Sequence, residues 1–148
     1  MHQQSAIQDL TKTNCYGCGA LNDHGLQIKS FVEGDECVCE WTPEDYHVAG
    51  PDIVYGGIIA SVIDCHSANT ASAMAHRENG LEPGTDPALL YLTKSLNIEY
   101  LRPTPMGHPL QLRARVVKFQ GRGAQIACEL HCNGELCARG DSVFVRSA

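Results

Sequence analysis

From residue 90 onward, apolar side chains recur at every second position, the signature of half-buried strands. Leu90, Leu92, Leu96, Ile98 and Tyr100 share one parity, broken by Lys94, and Arg102-Pro103 ends that strand. Leu110, Leu112, Ala114 and Val116 repeat the pattern before the turn Gly121-Arg122-Gly123. Ile126, Cys128, Leu130 and Cys132 follow, then Asn133-Gly134, a two-residue hairpin signal. Leu136 and Ala138 open the last strand on one parity, while Val143 and Val145 close it on the other. That switch predicts a bulge at Gly140-Asp141.

The pattern upstream is different. Leu26 to Val32 alternates and reads as a strand, Gly34-Asp35 turns the chain, and Cys37, Cys39 and Trp41 share one face of a second strand. Thr42 to Tyr55, punctuated by Pro43, Gly50 and Pro51, is a loop. Gly56 to about His76 predicts one long helix. Ile58, Ile59, Val62, Ile63 and Cys65 cover much of its circumference, so its first half is expected to be buried. Ala68 to Ala75 is rich in small residues that allow another backbone close. Glu78 to Pro87 is a flexible connection. Two strands, a buried helix and four antiparallel strands predict an α+β layer, a curved sheet wrapped around the helix. A single domain spanning 1–148 is expected, with residues 1–14 as a flexible arm.

Composition narrows the partners. The hydrophobic fraction of 43% and charged fraction of 19% suit a soluble globular chain. The net charge of −6, with basic residues scattered, opposes a nucleic-acid footprint. The longest apolar stretch, Ile58 to Ile63, is too short to span a bilayer. Met1 to Lys12 lacks an apolar h-region, and a cytoplasmic location is the expectation. The eight cysteines are irregularly spaced and most read as small buried hydrophobes.

Asp64 is the residue most charged with chemistry. It lies two turns into an apolar helix, where a carboxylate without partners is costly. A structural aspartate bonded to Ser61 or Ser67 and a working carboxylate are equally compatible with that position. Before it, Tyr55-Gly56-Gly57 puts two glycines at a helix N-terminus, where free N–H groups and the dipole suit a polarised carbonyl. A plain loop-to-helix junction is the alternative. Strict alternation turns Thr93 away from the helix unless its strand begins with a twist or bulge. Cys15-x-x-Cys18, even with His24, leaves a structural zinc short of four ligands, so two reduced thiols packing the arm are expected, with no metal. His66 reads as a core or interface histidine, and His47 and His108 fall in loops.

Together, Tyr55-Gly56-Gly57 through Ile63-Asp64, the segment Thr93 to Arg102-Pro103, and Cys18-Gly19 with Asn22 and Gly25-Leu26 resemble the hotdog-fold acyl-CoA thioesterases. The phenylacetate-pathway type is the nearest likeness, over roughly residues 15 to 146. The resemblance implies a hotdog fold working as a homo-oligomer, dimer or dimer of dimers, that hydrolyses an acyl-CoA thioester without a cofactor. It implies that the Gly57 N–H binds the thioester oxygen and that Asp64 of the other subunit acts as general base or nucleophile. Thr93 matches a positioning hydroxyl, with Tyr55, Gly56 and Arg122 as substrate contacts, Arg122 toward the coenzyme A phosphates. Tyr55 stands where the family carries His, which keeps a non-hydrolytic acyl- or aryl-binding module as the second reading. A hydratase on the same fold is disfavoured, since no His-Asp pair is visible.

Overall fold

The computed structural model describes residues 4–147, and the expected arm is outside that range for residues 1–3. The chain forms α1 (Ile7–Thr11), β1 (Ser30–Glu33), β2 (Glu36–Trp41), α2 (Gly56–Glu78), β3 (Tyr91–Tyr100), β4 (Leu110–Gln120), β5 (Gly123–Cys132) and β6 (Glu135–Arg146). The strands make one antiparallel sheet in the order β1-β2-β4-β5-β6-β3.

The 23 residues of α2 reach about 35 Å, and α2 touches all six strands. Its apolar first half buries Ile59, Val62 and Ile63, and its small-residue half is buried from Thr70 through His76. A helix enclosed this fully is the central element of a hotdog fold. The inner sheet face supplies Cys37, Cys39, Leu110, Leu112, Ala114, Ile126, Cys128, Leu130 and Phe144. Five of the eight cysteines, Cys37, Cys39, Cys128, Cys132 and Cys137, sit in strands as buried apolar groups.

Three expectations are corrected. The bulge in β6 falls at Cys137, because Leu130 pairs with Ala138 and His131 with Leu136. Ala138, Gly140, Ser142 and Phe144 then point inward, and Val143 and Val145 are only partly buried. Gly140 is inward because α2 presses on it: a Cβ there would lie 2.6 Å from Ile63 Cγ2. Second, Leu26 and Ile28 are buried but lie outside the ladder. Their N–H groups bond Tyr16 and Gly17 carbonyls, and Gln27 has φ +57°.

Third, the described part of the arm is docked. Ala6, Ile7 and Gln8 are buried. The Ser30 N–H donates to Gln8 Oε1 at 2.7 Å, which fixes the amide so that Gln8 Nε2 donates to Ser30 Oγ at 2.9 Å. The Ser30 hydroxyl is then left to donate to His66 Nδ1 at 2.7 Å, while His66 Nε2 donates to the Cys37 carbonyl at 2.9 Å. His66 is a neutral core histidine, its pKa lowered to about 4 by burial. Among the described residues no helix is long and apolar enough to cross a membrane.

Candidate active site

β3 is an edge strand, and its free edge leaves Tyr100 exposed although it shares parity with Leu96 and Ile98. Its pairing with β6 shifts between Thr93 and Ser95, leaving Lys94 as an extra residue. The slip reverses parity. Tyr91 and Thr93 therefore face the helix with Leu96 and Ile98, and Leu92 faces out.

The bulge brings Thr93 to Asp64: its Oγ1 donates to Asp64 Oδ1 at 2.7 Å. Both line a cleft of about 290 Å³ between α2 and the start of β3, with Cys15, Cys18, Asn69 and Leu90 among its walls. Burial raises the Asp64 pKa; the Thr93 bond opposes that shift and the Cys15 charge adds to it. Ser61, considered as a structural partner for Asp64, instead donates to the Gly57 carbonyl at 2.9 Å, and Ser67 Oγ has no partner among the described residues. A half-buried carboxylate that keeps one oxygen for a substrate or water is chemically equipped to accept a proton.

At the head of α2, Tyr55 is the N-cap and makes no side-chain capping bond. The Tyr55 carbonyl accepts from the Ile58 and Ile59 N–H groups at 3.0 and 3.2 Å, whereas the Gly57 amide, one position earlier, has no intrahelical acceptor. The exposed Tyr55 ring lies across Gly57, where a Cβ would come within 2.5 Å of Tyr55 Cε2 and push the ring aside. The Tyr100 hydroxyl donates to the Gly56 carbonyl at 2.7 Å, tying β3 to the same turn. Gly57 and Asp64 sit on one face of α2 but about 10 Å apart along its axis, since seven residues rise 1.5 Å each. One chain does not bring them together. Arg122 is also separate from this cleft: from the β4–β5 turn its Nε and Nη2 both donate to the Arg146 carbonyl at the end of β6, at 3.2 and 2.7 Å.

A third group at the cleft was not foreseen. Cys65, next to Asp64 on α2, meets the Cys15-x-x-Cys18 turn, its Sγ 3.8 Å from Cys15 Sγ. The two sulfurs are hydrogen-bond partners, and that contact holds Cys15 well below its ordinary pKa and pushes Cys65 up. His24 is exposed and does not join them. No local spacing links residue 65 to residues 15 and 18, so only the fold reveals the trio. His47 is a loop brace, its Nδ1 accepting the Glu44 N–H at 2.9 Å.

The sequence relatives agree with this architecture. A curated relative, the acyl-coenzyme A thioesterase THEM4 of Xenopus laevis, is 24% identical over 111 residues, covering 74% of this chain. The chain spans 44% of that relative's length. Among solved structures, a thioesterase superfamily protein from Shewanella loihica PV-4 is 36% identical, with 86% of this chain and 97% of that chain covered at a TM-score of 0.69. The PaaI protein of the E. coli phenylacetic acid degradation operon shares the fold at 18% identity and a TM-score of 0.67, covering 83% of this chain and 81% of its own. The thioesterase superfamily profile matches residues 52–138, the span from the loop before α2 into β6, and the chain belongs to that superfamily.

Proposed function

We propose that this chain hydrolyses an acyl-CoA thioester to the free acid and coenzyme A, with Asp64 as the base or nucleophile. The observation that carries the reading is the Thr93-to-Asp64 hydrogen bond in a cleft beside an apolar helix. Thr93 fixes one carboxylate oxygen and leaves the other to take a proton from water as its oxygen attacks the thioester carbon. Direct attack by the carboxylate, giving an anhydride that water then cleaves, uses the same geometry. The Gly57 N–H receives the developing oxyanion at the positive end of α2. The thiolate of coenzyme A leaves readily, so one carboxylate and backbone donors suffice.

The 10 Å gap within one chain favours a site shared between two copies, Gly57 from one and Asp64 from the other. The unpaired edge of β3, ten residues long with exposed Leu92 and Tyr100, is a natural seam for that homo-oligomer. Tyr55 and Gly56 would line the acyl end of such a site. Arg122, exposed and with N–H groups left over, is assigned to the coenzyme A phosphates.

Thiol release from short, medium, long and aryl acyl-CoA substrates tests the reading. Asp64→Asn keeps the shape and can accept the Thr93 bond, but cannot take a proton, so hydrolysis should fall by on the order of 10² to 10⁴. Activity near wild type in Asp64→Asn would sink the assignment. Tight acyl-CoA binding with no turnover by the wild type would establish the binding-module reading, which the Tyr55 substitution favours.

A further inference from the structure

The proposed hydrolysis makes no use of the three thiols that wall its cleft. The Cys15, Cys18 and Cys65 sulfurs all lie within 4.8 Å of one another, the first and last 3.8 Å apart. Thiolates bound about 2.3 Å from a tetrahedral zinc stand about 3.8 Å from each other. A disulfide would need two of them at about 2.05 Å and would leave the third without a role.

The surrounding backbone is built for this convergence. A Cβ at Gly17 would lie 2.3 Å from Cys65 Sγ, and one at Gly19 would lie 2.3 Å from the Cys15 nitrogen. The Gly19 N–H donates to the Cys15 carbonyl at 2.8 Å and closes the turn. The Gly17 and Cys18 N–H groups are close enough to the Cys15 sulfur to favour its thiolate. Asn69 Nδ2, held by the Cys65 carbonyl at 2.8 Å, donates to Cys18 Sγ at 3.4 Å. Hydrogen-bond donors thus surround the sulfurs as they would surround metal-bound thiolates. The Asp64 carboxylate adds a further negative charge nearby, which favours a cation.

We propose that Cys15, Cys18 and Cys65 form a three-thiolate zinc site whose fourth position opens on the cleft. Such an ion would pin the N-terminal turn to α2 beside Asp64. Cys15-x-x-Cys18 alone falls short of a zinc shell; the third thiolate comes from a helix that only the fold brings there.

Reduced protein, stripped with a chelator, should be titrated with Zn²⁺ against a chromophoric competitor and, separately, with Co²⁺. We expect one zinc per chain. Cys15→Ser, Cys18→Ser and Cys65→Ser should each weaken it by on the order of 10²-fold or more, and Cys132→Ser, outside the cluster, should not. The wild-type Co²⁺ complex should show sulfur-to-metal charge transfer, reduced by about one third in each single variant, as expected for soft thiolate ligation by three sulfurs. The wild-type band intensity itself counts thiolates, independently of how any variant folds. The proposal is overturned if reduced wild type binds no stoichiometric zinc, if the Co²⁺ complex lacks the thiolate band, or if binding survives all three substitutions. A Cys15–Cys65 disulfide by peptide mapping, with no metal bound after reduction, also overturns it.

Discussion

Acid should loosen this protein through His66, and the size of the effect follows from its surroundings. His66 is fully buried, and its tautomer is fixed from both ends. The Cys37 carbonyl requires a proton on Nε2, and the Ser30 hydroxyl, oriented through Gln8 by the Ser30 N–H, requires a bare Nδ1. Protonating Nδ1 would set two donors against each other in a dry site. The folded-state pKa is lowered from 6.5 to about 4, so the unfolded chain binds this proton more readily than the native one. Stability from this group is complete above pH 6.5 and is lost as pH falls toward 4. A shift of that size corresponds to on the order of 3 kcal/mol. His66→Gln supplies a neutral side chain that can donate to Cys37 and accept from Ser30. Urea unfolding of both proteins, reduced and metal-free, should be measured between pH 7.5 and about 4. The wild-type advantage should shrink across that window, and parallel curves would refute the reasoning.

Thr93→Val keeps the strand-forming shape but removes the donor to Asp64; losing a bond to a charged group, about 1.5–3 kcal/mol, should slow hydrolysis roughly 10- to 150-fold, and Thr93→Ser should restore most of it. Because burial raises the Asp64 pKa and the carboxylate is the working form, kcat of chelator-stripped enzyme should fall as pH drops through a value above that of a free aspartate. Thr93→Val should move that acid limb higher still, and an unmoved limb would separate it from Asp64. Mixing Asp64→Asn with Gly57→Pro, each checked by its melting curve, should restore about one quarter of wild-type activity if random exchange leaves one intact site in half the dimers. Proven exchange with no recovery would refute a shared site.

The fold was largely legible because α2 is long and apolar and the strands after it keep period two. Sequence reading failed where packing overrode polarity. Ser142 occupies a core position in β6 that alternation assigned to the outside, and Gly140, read as part of a bulge, faces inward where α2 approaches too closely for a larger residue. Leu92 read as core and is exposed because a one-residue slip at Lys94, invisible in hydropathy, turns it outward. The same slip delivers Thr93 to Asp64, so the irregularity that defeated the periodicity argument is also what assembles the candidate site. Gln8 and Cys65 act through partners far away in sequence, and no local pattern announces such pairings.

Asp64, Cys65 and His66 show how one turn of helix can serve three purposes. Successive residues on a helix project about 100° apart, so three in a row address three different neighbours. Asp64 points to the Thr93 bulge of an edge strand, Cys65 to the Cys15-x-x-Cys18 turn, and His66 to Ser30 and the buried face of β2. The chain before α2 is held to it by the second and third of these contacts, and the first sets the carboxylate. A shift in the docking of α1 through Gln8 and Ser30 would move His66, and with it the turn that carries Asp64. The N-terminal segment thereby becomes part of what fixes the carboxylate's position, although it contributes no group to the chemistry.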